Sequence, residues 1–234
     1  MSHLIRTSRL DDLYEQCAWP AHDGRACDLR LAEFIHRNLA GSDYTASGYA
    51  SVDDVLTGDI AMIRRFADEP ASDPHLYALC DPKGLRAFIL WYALQAGGPD
   101  LLPPAERDRR ALTNDCTLAD IAYGDWLIVD TANRVRGLGG VLFAIVLDDM
   151  AQAGYRAWYG RTVVPGNREL YETLYRRTGR AELVGEWQDG PVTRIGFLGD
   201  LRGGWTKTLL DNALRDHPGL VTVSPPDPRA GRDC

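Results

Sequence analysis

Read by its hydrophobic and polar positions, the chain opens with a short apolar run, Leu4–Arg6, that predicts a first strand. A helix capped at Ser8 or Asp11 comes next, running to about Cys17. Leu29, Leu31, Ala32, Phe34, Ile35 and Leu39 recur at helical spacing over Asp28–Leu39, and Gly41 closes that helix. A polar stretch then extends to Pro74, with a helix predicted from Val52 to Phe66 inside it. His75–Cys80 and Leu85–Leu94 are apolar, aromatic-containing runs joined at Asp81-Pro82-Lys83-Gly84, the punctuation of a hairpin. Gln95–Leu118 reads as a loop or insertion. Ile121–Val129 returns to strand character, Leu138–Gln152 is a helix ended by Ala153-Gly154, and Tyr155–Val164 is a strand. Asn167–Thr178 predicts a helix, and Ala181–Trp187 with Val192–Leu198 a last hairpin around Asp189-Gly190-Pro191. Trp205–Arg215 predicts one more helix and Ser224–Cys234 a disordered tail. This order predicts an α/β (α+β) fold, whose one strand–helix–strand unit places a parallel pair within the sheet.

The segment Trp126–Gly140, WLIVDTANRVRGLGG, carries the candidate chemistry. A strand, an Arg/Gly-rich turn and a helix N-terminus in that order aim backbone N–H groups at a pyrophosphate. Arg134 and Arg136 add cationic donors, and Gly137 and Gly139 lack the Cβ that would keep a phosphate away. A dinucleotide G-x-G-x-x-G is excluded because Leu142 stands where the third glycine is needed. No Walker run occurs. The pattern that fits is [Q/R]-x-x-G-x-[G/A] after a strand ending in Val129, with Arg134, Gly137 and Gly139. The plain alternative is a tight strand–turn–helix whose glycines serve packing.

This pattern resembles the acyl-CoA loop of the GCN5-related N-acetyltransferase (GNAT) superfamily. The family segment V-x-P-x-x-[Q/R]-G-x-G-[I/V]-[G/A] is met here by Val129 to Gly139, with Thr131 in place of Pro and Val135 in place of the first Gly. A second match, to N-x-x-A-x-x-L-Y-E-x-x-G-F, lies in Asn167, Leu174-Tyr175 and Gly179, with one extra residue, Arg176 for Glu and Arg180 for Phe. Tyr171 is the alternate tyrosine. The resemblance runs from about Leu4 to Leu198, and its specific part from Ile121 to Gly179. It implies a GNAT-like mixed, mostly antiparallel central sheet with helices on both faces, and a pyrophosphate loop between the fourth strand and third helix. It also implies one acyltransferase domain over 1–200, with 41–75 and 95–118 as insertions or lids. An appended helix in 201–223 and a tail over 224–234 complete the chain.

By the same resemblance, Arg134, Val135, Arg136, Gly137, Leu138, Gly139 and Gly140 would hold the CoA pyrophosphate. Leu127, Ile128 and Val129 would pair with the pantetheine arm as an added strand, and Asn167 and Tyr171 would join the cofactor site. The Val129 N–H would polarise the thioester carbonyl. Tyr175, a phenol with an ordinary pKa near 10, is the candidate acid for the leaving thiolate, or else an aromatic at the rim of an amphipathic helix. Asp125, four residues before Val129, is the candidate general base, with Asp120 and Tyr123 as rivals. Strand alternation puts Asp125, Leu127 and Val129 on one face. A polar residue starting the strand beside Gly124 is the alternative for Asp125.

Charge narrows the partners. The formal net charge of −7 disfavours a nucleic-acid footprint. Between Gly41 and His75, seven acids (Asp43, Asp53, Asp54, Asp59, Asp68, Glu69 and Asp73) face only Arg64 and Arg65. That is either a solvated face or one wall of a site for a cationic substrate. Cys17, Cys27, Cys80, Cys116 and Cys234 form no C-x-x-C pair and read as reduced thiols, and no zinc spacing surrounds His22. The N-terminus has no apolar leader segment, and no apolar run is long enough for a bilayer, so a cytoplasmic protein is expected.

The reading is an N-acyltransferase that moves an acyl group directly from acetyl-CoA or another acyl-CoA to a small, cationic amine. No metal is expected, and no nucleophilic Cys or Ser context suggests a covalent enzyme intermediate. A homodimer is compatible with it. One alternative is an acyl- or aminoacyl-tRNA or carrier-protein donor, met by Arg107, Arg109, Arg110, Arg176, Arg177 and Arg180. The other is a non-catalytic CoA-binding module.

Overall fold

Apolar runs with no polar face demand cover on both sides, and two of them set the arrangement of layers. The computed structural model describes residues 2–17, 19, 24–39, 50–104, 111–113, 116–132, 135–164 and 180–222. In chain order these form β1 (Ser2–Thr7), α1 (Leu10–Gln16), α2 (Gly24–Leu39) and α3 (Val52–Val55), which passes through a π turn at Leu56–Ile60 into α4 (Ala61–Ala67). Then come β2 (His75–Asp81), β3 (Gly84–Ala93), α5 (Leu94–Gly97), a small ribbon of β4 (Ala111–Thr113) and β5 (Cys116–Thr117), β6 (Ile121–Val129) and α6 (Leu138–Gln152). β7 (Ala157–Val164), β8 (Ala181–Asp189), β9 (Val192–Asp200), α7 (Trp205–Asp216) and β10 (Val221–Thr222) complete the described chain. None of these helices is long and apolar enough to cross a membrane.

The main sheet has eight strands in the order β10-β1-β2-β3-β6-β7-β9-β8. It is antiparallel except for the β1–β10 and β6–β7 pairs. This is the mixed, mostly antiparallel sheet that the sequence implied. Leu76 to Cys80 are all buried, as expected for a strand covered on both faces. One face packs under α1 to α4, with Leu13, Leu31, Ile35, Val55, Ile63 and Phe66 in a single core with Tyr92, Tyr123 and Trp126. The other carries α6, whose residues from Val141 to Asp148 are all buried. A helix so uniformly apolar needs a second cover, and α7 supplies it through Leu209, Leu210, Ala213 and Leu214. The one charge in that run, Asp148, is satisfied by Thr206 Oγ1 at 2.9 Å and Gln152 Nε2 at 2.6 Å.

The described cysteines are free thiols, and two that no sequence spacing links meet in the fold. The Sγ atoms of Cys17, at the end of α1, and Cys80, on β2, lie 2.7 Å apart. Both line a cavity of about 870 Å³ whose walls include Trp19, Arg30, Arg86 and Asp130. Contact with Cys17, and then burial, push the Cys80 thiol's pKa up, so the less buried Cys17 is the one to attack an oxidant. A low-molecular-weight disulfide is therefore expected to remove two titratable thiols and lower the mass by about 2 Da, by the exchange chemistry of dithiols. Cys17→Ser should abolish the effect. Retention of every free thiol under excess oxidant would show the pair to be inert.

Candidate active site

β6 and β7 are hydrogen-bonded as parallel neighbours from Ile121↔Ala157 to Gly124↔Gly160 and no further. β6 nevertheless runs on to Val129, and β7 to Val164. Beyond the two glycines the strands part. On its other edge β6 stays paired with β3 as far as Ala87↔Val129, so alternate N–H and C=O groups of Asp125–Val129 point into the opening. An extended ligand could add there as a strand.

A β-bulge marks the apex. Leu90 pairs with Trp126 and Trp91 with Gly124, leaving Asp125 as the extra residue. This corrects the alternation expected from sequence. Leu127 and Val129 face α6, while Tyr123, Trp126 and Ile128 face the α1–α4 core. Asp125 goes with the second group, receiving a long hydrogen bond from the Tyr92 hydroxyl at 3.5 Å. The residue is half-buried by surface area, yet its carboxyl is crowded by protein where the two strands part. Burial raises its pKa to about 6, against the charge of Arg161 and the hydroxyls of Tyr123 and Tyr92, which pull it down.

Asp59 lies near enough to Asp125 for their charges to interact, and was not singled out from the acidic stretch of the sequence. It rides on the π turn, the irregularity that often re-aims a helix at functional sites. That helix packs over the tyrosines, with the rings of Phe66 and Tyr92 at 4.7 Å. Burial, and secondly the charge of Asp125, raise the Asp59 pKa to about 8. Arg161 was also missed. Its one sequence signal is a charge inside the otherwise apolar run AWYGRTVV. Its Nε donates to the Tyr123 hydroxyl at 3.0 Å and its Nη1 to the Asp100 carbonyl at 3.4 Å. Of the rival bases, Asp120 is committed to capping, accepting from the Thr117 N–H and hydroxyl at 2.7 Å. Tyr123 is buried, which raises its pKa well above the ordinary phenol value.

The elevated Asp59 pKa has a consequence for stability. Folded Asp59 keeps its proton to about pH 8, whereas the unfolded carboxyl loses it near 3.9. Folding therefore takes up a proton between those values, and stability falls as pH rises through that window, by at most about 1.4 kcal/mol per unit. Asp59→Asn removes the penalty. Its melting temperature should exceed wild type by several degrees at pH 8.5 and converge with it near pH 4.5. Equal loss at both values would contradict the burial of this carboxyl.

The segment after β6 is tied down at its root. Arg86 joins Asp81 at 2.8 Å and Asp130 at 2.9 Å in a buried three-member ion pair. The Thr131 N–H donates to Asn38 Oδ1 of α2 at 2.7 Å. Gly137 has φ +88° and begins α6 with no side-chain cap. A Cβ on it would collide with the His217 ring at the end of α7. A Cβ on Gly139 would stand 3.2 Å from Val129 Cγ2, whereas one on Gly140 meets nothing within 4 Å. Gly137 and Gly139 thus have packing reasons to lack a side chain, and Gly140 has none among the described residues. Val135 and Arg136 are exposed, and Leu138 is buried under the sheet. Arg134, Asn167, Tyr171 and Tyr175 lie outside the described residues.

No family model and no curated protein matches the sequence. Solved structures do match the fold. A CoA-dependent acyl-homoserine lactone synthase, BjaI, solved with SAM and isopentyl-CoA, superposes with a TM-score of 0.58 at 13% identity. The match covers 98% of this chain and 96% of that one. A ribosomal-protein-alanine N-acetyltransferase from Brucella melitensis gives a TM-score of 0.50 at 13% identity, over 75% of this chain and 94% of that one. With the parted central strands, the bulge and the glycine-led helix behind them, these likenesses give one conclusion: this chain has the fold of the GCN5-related N-acetyltransferases.

Proposed function

We propose that this chain is an acyl-CoA-dependent N-acyltransferase, with acetyl-CoA the first donor to test, acting directly on a small amine that arrives as its ammonium. The observation that carries this reading is the parting of β6 and β7 after Gly124 and Gly160, with the Asp125 carboxyl at the apex. The description of BjaI as CoA-dependent supports the choice of donor.

In this reading Asp125, ionised above about pH 6, takes the proton from the ammonium. The freed nitrogen attacks the thioester carbonyl, whose developing oxyanion would be met by the Val129 N–H. The C–S bond then breaks, and Tyr175 would return a proton to the thiolate. Of the two protons the ammonium loses, one ends on sulfur and one leaves through Asp125. Leu127, Ile128 and Val129 would pair with the pantetheine arm, and the backbone from Arg134 to Gly140 would hold the pyrophosphate at the α6 N-terminus. Asn167 and Tyr171 would complete the cofactor site.

Incubation with acetyl-CoA and an amine panel should release free thiol in proportion to acylated amine. Binding of acetyl-CoA without turnover of any amine would leave the non-catalytic CoA-binding module as the reading.

A further inference from the structure

We propose that the acceptor is an α-amino acid, or an amine bearing its carboxylate close to the nitrogen, with Arg161 reading the carboxylate while Asp125 takes the amine. This rests on the acyltransferase reading above and narrows its substrate class.

Asp125 and Arg161 are the first residues on β6 and β7 beyond the last paired glycines, Gly124 and Gly160. They therefore flank the apex where the strands separate. Both belong to the α1–α4 side of the sheet. Asp125 is held there by Tyr92, and Arg161 by Tyr123 in the same tyrosine-lined wall. Opposite charges so placed would ordinarily close into an ion pair, but no carboxylate among the described residues lies within ion-pair distance of this guanidinium. Its hydrogen bonds go to a phenol and a backbone carbonyl. That leaves Nη2, and the planar fork suited to a carboxylate, without a protein acceptor among the described residues.

A half-buried cation with no anionic contact among the described residues is costly unless a ligand completes it. The charge balance of the cleft points the same way. With Asp59 protonated near neutral pH, the charges flanking the apex among the described residues are those of Asp125 and Arg161; the Arg194 guanidinium, which also acts on Asp125, is already paired with Asp189. A zwitterion fits that pattern. A compact diamine would bring a second cation towards Arg161, a like-charge contact that disfavours it. In the transfer, the amine nitrogen forms the new N–C bond as the C–S bond breaks. The acceptor carboxylate takes no part in the bond changes and serves only to aim the nitrogen.

The test pairs each of the twenty L-amino acids with its carboxamide, read by thermal shift for binding and by thiol release from acetyl-CoA for turnover. At least one acid should bind, and react with kcat/KM roughly 10- to 100-fold above its amide, the worth of a charge-assisted contact. Arg161→Met should reduce that ratio to near unity while leaving the KM for acetyl-CoA unchanged, and Arg161→Lys should restore part of it. Equal turnover of acid and amide would overturn the proposal, as would acylation of polyamines or amino sugars alone. So would an Arg161→Met variant that shifts only the pH profile. Failure of acetyl-CoA itself to bind would instead bring down the acyltransferase reading on which the proposal stands.

Discussion

Asp125→Asn is expected to lower kcat by about 100-fold or more at pH 8, with little change in the KM for acetyl-CoA, because positioned proton transfer contributes about 10²–10⁴. The amide fills the same volume and keeps an oxygen for the Tyr92 hydroxyl but cannot accept the ammonium proton. The pH profile gives the sharper signature. Wild-type kcat/KM should rise with pH through about 6, the value to which burial raises this carboxyl, because the base works only when ionised. In the variant that limb should vanish. Asp59 titrates close by, near 8, so the apparent values belong to the pair. Arg161 is the largest influence pulling Asp125 down, so Arg161→Met should move the ascending limb to higher pH. A variant that keeps more than half of wild-type kcat with the same profile would remove Asp125 from the chemistry.

The glycines at the head of α6 give the second large effect, and two of them should separate stability from binding. Gly137 needs its positive φ and has the His217 ring where a Cβ would go. Gly137→Ala is therefore expected to cost about 1–3 kcal/mol of stability and to abolish measurable acetyl-CoA binding with it. Gly140 has an ordinary helical backbone and open space around it. Gly140→Ala should raise stability by about 1 kcal/mol, or about 2–4 °C in Tm for a chain of this size. The same substitution should weaken acetyl-CoA binding by roughly tenfold or more, since the new methyl stands where a phosphate would approach the helix N-terminus. A more stable Gly140→Ala that binds acetyl-CoA like wild type would place the phosphates elsewhere.

These effects rest on features of unequal visibility in the sequence. The bounds of β6 and α6, Ile121–Val129 and Leu138–Gln152, were legible because an apolar run ending in a turn and a run of helical length leave few alternatives. The face of Asp125 was not. A bulge adds one residue to one strand without altering composition, and Gly124 was its only trace. Asp59 was hidden for a related reason. A π turn adds a residue to a helix and rotates every later position about the axis, so ideal spacing could not pick one carboxylate from the seven in that stretch. Arg161 carried a signal, a lone charge in a strand, but its role depends on where two strands cease to pair. The Cys17–Cys80 contact joins positions 63 apart, and only the tertiary fold could reveal it.

Titration of the wild-type chain with acetyl-CoA and with CoA by calorimetry tests the central claim most directly. Saturable one-to-one binding of both is expected, with a Kd on the order of micromolar, lost in Gly140→Glu, where a Cβ meets nothing within 4 Å, while the circular dichroism of that variant stays native-like. No heat with either ligand up to about millimolar concentration would contradict the CoA reading and move the alternative carrier-protein or tRNA donor to the front.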